Sequence, residues 1–194
     1  MNKWIMAGTA AAFTGAAAFA RSEYERIHLD IVHYDIKTDK LGLEWNGFKA
    51  VFLSDLHDNS FGMENEELLA AIEKEQPDIV VIGGDMLVVK EWAAPHFDML
   101  ANLYKKLVKR YPVYYAFGNH EQRMKEEPLT YPGWWQSYWK VLKDSGMHVL
   151  VNKSEEIIKN DTAMRISGIT LPRECYRKGR IPSLSAGYID KKIG

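Results

Sequence analysis

Three short polar clusters in this 194-residue chain carry residue types that suit a divalent cation: Asp55-Leu56-His57, Gly83-Gly84-Asp85 and Gly118-Asn119-His120-Glu121. Asp offers charged oxygens, His an imidazole nitrogen and Asn a neutral carbonyl oxygen, a donor set for hard or borderline metals. One carboxylate can also bridge two cations about 3.5–4 Å apart, the spacing of two-metal phosphoester hydrolysis. The glycines let backbone approach such a centre with no Cβ in the way. Taken singly, each cluster has an ordinary reading. Asp55 could cap a helix, Gly-Gly-Asp is a common turn, and Asn119 could be a turn residue. Their order and placement carry the signal.

Each cluster directly follows an apolar run. Phe48–Leu53, Ile79–Ile82 and Val113–Phe117 have the composition of strands buried on both faces. Glu64–Gln76 and Pro95–Arg110 lie between them as amphipathic helices. Acidic residues suit the start of the first helix, and basic residues suit the end of the second. Strands about thirty residues apart with a helix between are βαβ units, which places the strands in parallel. Parallel strands end on one edge, where open α/β sheets bind ligands. Asp55, His57, Asp85, Asn119 and His120 are therefore expected to converge.

Downstream, Trp134–Ser145 reads as a third helix closed by Gly146. Met147–Val151, Glu155–Ile158 and Met164–Ile169 read as three more strands, the last two joined at Asn160-Asp161, in a second sheet packed on the first. Upstream, Ile27–Ile36 has strand composition. Leu41, Leu43 and Trp45 alternate with polar residues, and Asn46-Gly47 is a hairpin turn signal.

Hydrophobic residues make up 46% of the chain and charged residues 26%, which fits one globular domain. The net charge of −1 lacks the overall basic footprint of a nucleic-acid binder, so nucleic acid is not expected as a partner. Cys175 is the lone cysteine, which excludes an internal disulfide and a Cys-built zinc site. Residues 4–20 carry no charge, follow Lys3 and end in Ala18-Phe19-Ala20, a small-x-small cleavage pattern. As a helix they would span about 25 Å, a little short of a bilayer core of about 30 Å. Residues 1–20 are expected to be an export signal or membrane anchor, and 21–194 the globular domain. The expected location is membrane-associated or exported, on the extracytoplasmic face. The alternative is a buried Ala-rich helix of the fold.

With these motifs in place, the chain resembles the calcineurin-like metallophosphoesterases. Their pattern is D-x-H, then G-D, then G-N-H-[DE], then a lone His, then G-H-x-H. Residues 55–57, 84–85 and 118–121 match the first three blocks in order and spacing, and the run Ser54–Gly62 looks like a membrane-associated bacterial branch. The resemblance covers essentially all of residues 27–194. It implies an α/β/β/α four-layer sandwich. It also implies two divalent cations, among Mn2+, Fe2+/3+, Zn2+ and Mg2+. Asp55 and His57 would hold one, Asp85 would bridge both, and Asn119 would hold the second. His120 would sit by the leaving-group oxygen, Glu121 would orient His120, and a metal-bound hydroxide would attack phosphorus in line. The implied substrate is a phosphoester, either a small molecule or lipid-linked.

The chain departs from the pattern after residue 148: no His follows His148, so the lone-His and G-H-x-H blocks are absent. His148 itself lies in an apolar run and reads as a structural strand histidine. The expectation is that these residues are the front part of a longer phosphoesterase, cut before its last strands. Two classes of function follow. One is a dinuclear phosphoesterase acting near the membrane. The other is a noncatalytic module of the same fold, or an inactive fragment without the last His ligands. Tyr131, Trp134, Trp135, Tyr138 and Trp139 read as core packing in preference to a substrate lid. Arg173, Arg177, Lys178 and Arg180 read as a solvated loop in preference to a phosphate site.

Overall fold

The computed structural model describes residues 14–24, 28–177, 179 and 183–193. Four strands form a parallel sheet in the order β1 (Ala50–Leu53), β2 (Ile79–Ile82), β3 (Val113–Tyr115) and β4 (His148–Val149). The register sets the site. Leu53 pairs with Ile82 and Ile82 with Tyr115, so the first three strands end level with one another. Whatever follows them emerges along one line.

Helices between the strands cover one face of the sheet. Residues 14–24 are helical and are taken as α1. They are followed by α2 (Glu66–Glu75), α3 (Phe97–Val108), α4 (Asn119–Glu126), α5 (Trp134–Ser145) and α6 (Tyr188–Ile193). The alternation of strand side chains divides the core in two. Val80, Ile82, Val113 and Tyr115 point to the helices and pack with Leu68, Ile72, Leu100, Leu103, Leu107 and Leu142. Ile79, Val81 and Tyr114 point the other way, against Ile157 and Ile166 of the antiparallel hairpin β5 (Lys153–Lys159) and β6 (Thr162–Gly168). Asn160 and Asp161 turn that hairpin in the left-handed conformation that a two-residue loop requires. The result is an α/β fold of helices, parallel sheet and hairpin, with α6 resting against β5.

Several expectations are corrected. The segment from His28 to Ile36 is irregular, not a strand, and Ile27 lies outside the described residues. Ile31, Val32, Tyr34 and Ile36 are exposed, and the segment joins neither described sheet. Leu43–Trp45 is a 3-10 turn, in which Trp45 is buried and donates its ring N–H to Thr162 Oγ1 at 2.9 Å. Asn46-Gly47 continues that turn into β1 and makes no hairpin. β1 is an edge strand and is not buried on both faces, since Phe52 is 67% exposed. β4 joins the parallel sheet, leaving two strands in the second sheet where three were expected. α4 was not foreseen. It is short and polar and begins inside the third motif, so it shows no apolar periodicity. Of the expected export or anchor segment, residues 1–13 lie outside the described residues. Among those described, no helix is long and apolar enough to cross a membrane.

Leu103 is fully buried between α3 and the sheet, whereas Leu43 is 84% exposed. Leu103→Ala is expected to cost about 2–5 kcal/mol of stability in urea unfolding. Leu43→Ala is expected to stay within about 0.5 kcal/mol of the parent.

Candidate metal centre

The chain leaves β1 at Ser54 and β2 at Gly83, and the two loops stay zipped beyond the strands. Asp55 N–H donates to Gly84 O, His57 N–H to Asp85 O and Asp58 N–H to Met86 O, each at 3.1 Å. Asp55, His57, Asp58 and Asp85 are all left-handed, with φ between 52° and 58°. That conformation costs an L-residue roughly 1–2 kcal/mol, and Asp, Asn and His accept it more readily than branched side chains do. Backbone strain collected this way is typical of sites where side chains must be aimed.

The third loop comes in against the second through glycine. A Cβ on Gly84, whose φ is +89°, would lie 1.9 Å from the backbone nitrogen of Gly118. A Cβ on Gly118 would lie 2.4 Å from the Asp85 carboxylate. These two positions touch because neither residue has a side chain.

Four expected ligand residues meet here. Asp55, His57 and Asp85 each offer one ligand atom, all within 4.8 Å of one another. His57 Nε2 is 3.5 Å from Asp55 Oδ1, and Ser54 Oγ donates to Asp55 Oδ2 at 2.5 Å. Asp85 is buried, and its Oδ1 accepts the His120 backbone N–H at 2.7 Å. Its Oδ2 faces the Asn119 amide at 3.0 Å. With the Asn119 nitrogen toward Asp85 this contact is a hydrogen bond, and the Asn119 oxygen accepts from His120 N–H at 3.2 Å. With the oxygen toward Asp85, two acceptors face each other, and both would suit a shared cation. Two carboxylates, an imidazole and an amide oxygen thus fit a divalent metal.

His120 joins them through its ring, which stands edge-on to that of His57 at 5.3 Å. Its Nδ1 accepts the Val89 backbone N–H at 3.0 Å, which leaves the ring proton of neutral His120 on Nε2. Burial lowers its pKa, and the neighbouring His57 adds to that effect, while Asp85 opposes it.

Glu121 does not meet its expected role of orienting the His120 ring. Its carboxylate is fully buried and accepts from the backbone N–H groups of Asp85 at 2.9 Å, Met86 at 3.2 Å and Gly118 at 3.0 Å. The reason is position: it is the third residue of α4, where a carboxylate reaches back to the N-terminus. Burial raises its pKa, and the donors around it work against that rise.

Sequence reasoning missed two residues. Asp58 accepts from Val88 N–H at 2.8 Å and His96 N–H at 3.1 Å, tying the segment after β2 to the first loop. Tyr176, in the 3-10 turn Arg173–Tyr176, has its hydroxyl pKa pushed up by burial and then by the charge of Asp85. Neither has a sequence signal beyond its loop. Arg173 and Arg177 are exposed, as a solvated loop requires, and Arg173 pairs with Glu127 at the surface. Lys178 and Arg180 lie outside the described residues. His148 is at β4, stacked on Tyr114 and bonded to Glu155 at 2.6 Å, as a structural strand histidine would be. Tyr131 and Tyr138 are buried, and Trp135 and Trp139 pack on Phe117, so the aromatic cluster is core. A cleft of about 610 Å³ opens beside Asp55 and His57, and His28 and Asp30 also line it.

The family model for calcineurin-like phosphoesterases matches residues 48–184, which include all three motifs. The chain belongs to this family. Within the calcineurin-like phosphoesterases it is similar to YkoQ, an uncharacterized metallophosphoesterase of Bacillus subtilis (strain 168), at 32% identity over 117 residues. The match covers 60% of this chain and 41% of that relative, so the chain spans well under two thirds of the relative's length.

The contact between Gly84 and Gly118 predicts a steep penalty. Gly84→Ala is expected to lose roughly 3 kcal/mol or more, or to yield no folded protein, since clash and backbone strain add. Gly133→Ala also has a positive φ, of +77°, but meets open space. It is expected to cost about 1–2 kcal/mol. Chemical denaturation of the two variants checks the difference.

Proposed function

We propose that this chain is the metal-binding part of a phosphoester hydrolase with a dinuclear centre. In this reading Asp55 and His57 hold one cation, Asp85 bridges two, and Asn119 holds the second. The observation that carries it is the convergence of Asp55, His57 and Asp85 within 4.8 Å from two loops thirty residues apart. When bound, the cations supply Lewis acidity toward the phosphoryl group and activate water at neutral pH.

The chain's own residues do the rest. His120 presents Nε2–H while Val89 N–H occupies Nδ1, so the ring enters as a neutral donor with a fixed direction. A donor of that kind, placed at the leaving oxygen, stabilises developing negative charge with no reorganisation. The Asn119 amide can turn its oxygen to a cation, or its nitrogen to Asp85 when none is bound. The Asp85 carboxylate is buried, which strengthens its attraction for a cation relative to one in water.

In the same reading, residues 4–20 export or anchor the domain, and the substrate is a phosphoester at or near the membrane, a small molecule or lipid-linked. Mn2+ is the ion to try first.

The full-length protein is expected to hydrolyse bis(p-nitrophenyl) phosphate with Mn2+ and to lose this on chelation. Asp85→Asn is expected to abolish turnover, by at least about a hundredfold, with unfolding little changed in the absence of metal. Full activity in that variant would sink the two-metal assignment and favour a noncatalytic module.

A further inference from the structure

Behind Asp85 lies a run of buried hydroxyls for which the phosphoesterase reading has no use. Tyr115 O–H donates to Glu121 Oε1 at 2.8 Å. The Tyr115 and Tyr138 hydroxyls are 2.7 Å apart, and so are those of Tyr138 and Tyr104. Tyr104, Tyr115, Tyr138 and Glu121 all have 0% exposure.

The direction of this chain is set at one end. The other three partners of Glu121 are backbone N–H groups, which can only donate. Glu121 is therefore held as an acceptor, and Tyr115 gives it a proton. The Tyr115 oxygen is then left to accept from Tyr138, and the Tyr138 oxygen from Tyr104. Three O–H dipoles point the same way, toward a carboxylate removed from water. Bonds in such a chain polarise one another, and a buried carboxylate needs partners of this kind. The carboxylate in turn takes the N–H of Asp85, a residue held at the left-handed φ of 52°.

We propose that Tyr138 and Tyr104, acting through Tyr115 and Glu121, are positioning residues that hold Asp85 in its ligand-bearing conformation. The part played by Asp85 rests on the phosphoesterase reading; the mechanical link does not. Tyr104 comes from α3, Tyr138 from α5, Tyr115 from β3 and Glu121 from α4, so four elements are tied to one backbone amide behind β2. Tyrosines that merely filled the core would make no such demand on their hydroxyls. Phenylalanine would then serve as well.

The test uses the full chain with Tyr138→Phe and Tyr104→Phe, and with Tyr131→Phe as a buried tyrosine outside the run. Two quantities are read: amide hydrogen exchange at Asp85, Met86 and Gly118, and Mn2+ affinity by calorimetry. Tyr138→Phe is expected to speed exchange at those amides and weaken Mn2+ binding, each about fivefold relative to Tyr131→Phe, the scale of one hydrogen bond. Tyr104→Phe, one link farther away, should move both readings the same way by less. If Tyr138→Phe fails to fold, Tyr104→Phe decides alone. Exchange unchanged, or changed equally in Tyr131→Phe, overturns the proposal. A parent chain that takes up no Mn2+ overturns the phosphoesterase reading, while the exchange rates still decide whether these hydroxyls hold Asp85.

Discussion

Two backbones touch where β2 and β3 end. Neighbouring strands run about 4.8 Å apart, and loops leaving them ordinarily spread. Here Gly84 and Gly118 keep the loops in contact, at a distance that leaves no room for a Cβ on either. Asp85 and Asn119 follow those glycines, so their side chains are bound to meet. One Asp85 oxygen takes the His120 N–H and the other faces the Asn119 amide. Underneath, Glu121 fills the remaining space and satisfies the amides that the tight turn leaves without ladder partners.

The centre has a dry half and a wet half. Asp85 is 9% exposed and Glu121 not at all, while the Asp55 and His57 side chains are 62% and 45% exposed. Charges interact several times more strongly on the inner side than in water. The inner half is tied to three helices and the sheet. The outer half stands on the edge strand and on a loop zipped to the one after β2, with the cleft beside it.

What could be read from sequence divides along the same physical lines. Ile79–Ile82 and Trp134–Ser145 stand where their patterns place them, because an all-apolar run and a full helical face have no other stable use. The convergence of the three motifs followed from parallel pairing alone. Ile27–Ile36 looked equally strand-like, but a strand needs a neighbour, and composition does not say whether one is there. α4 was hidden because its residues are spent on the site and on capping rather than on a face. Glu121 was legible as part of a motif, yet not as a carboxylate under Asp85. That contact depends on how far a side chain reaches back along its own helix.

The strand order β1-β2-β3-β4 follows the order of synthesis, with no later strand inserted between earlier ones. As a chain leaves the ribosome, each new strand can add to an edge already formed. The candidate ligands arrive in the same sequence, Asp55 and His57 first and Asp85 next. But Asp85 sits in an uphill backbone state, and the carboxylate that takes its amide lies 36 residues farther on. Until that carboxylate has emerged, the Asp85 amide lacks its partner. The conformation of Asp85 is therefore completed late in biogenesis, only after β3 and the first turn of α4 have docked.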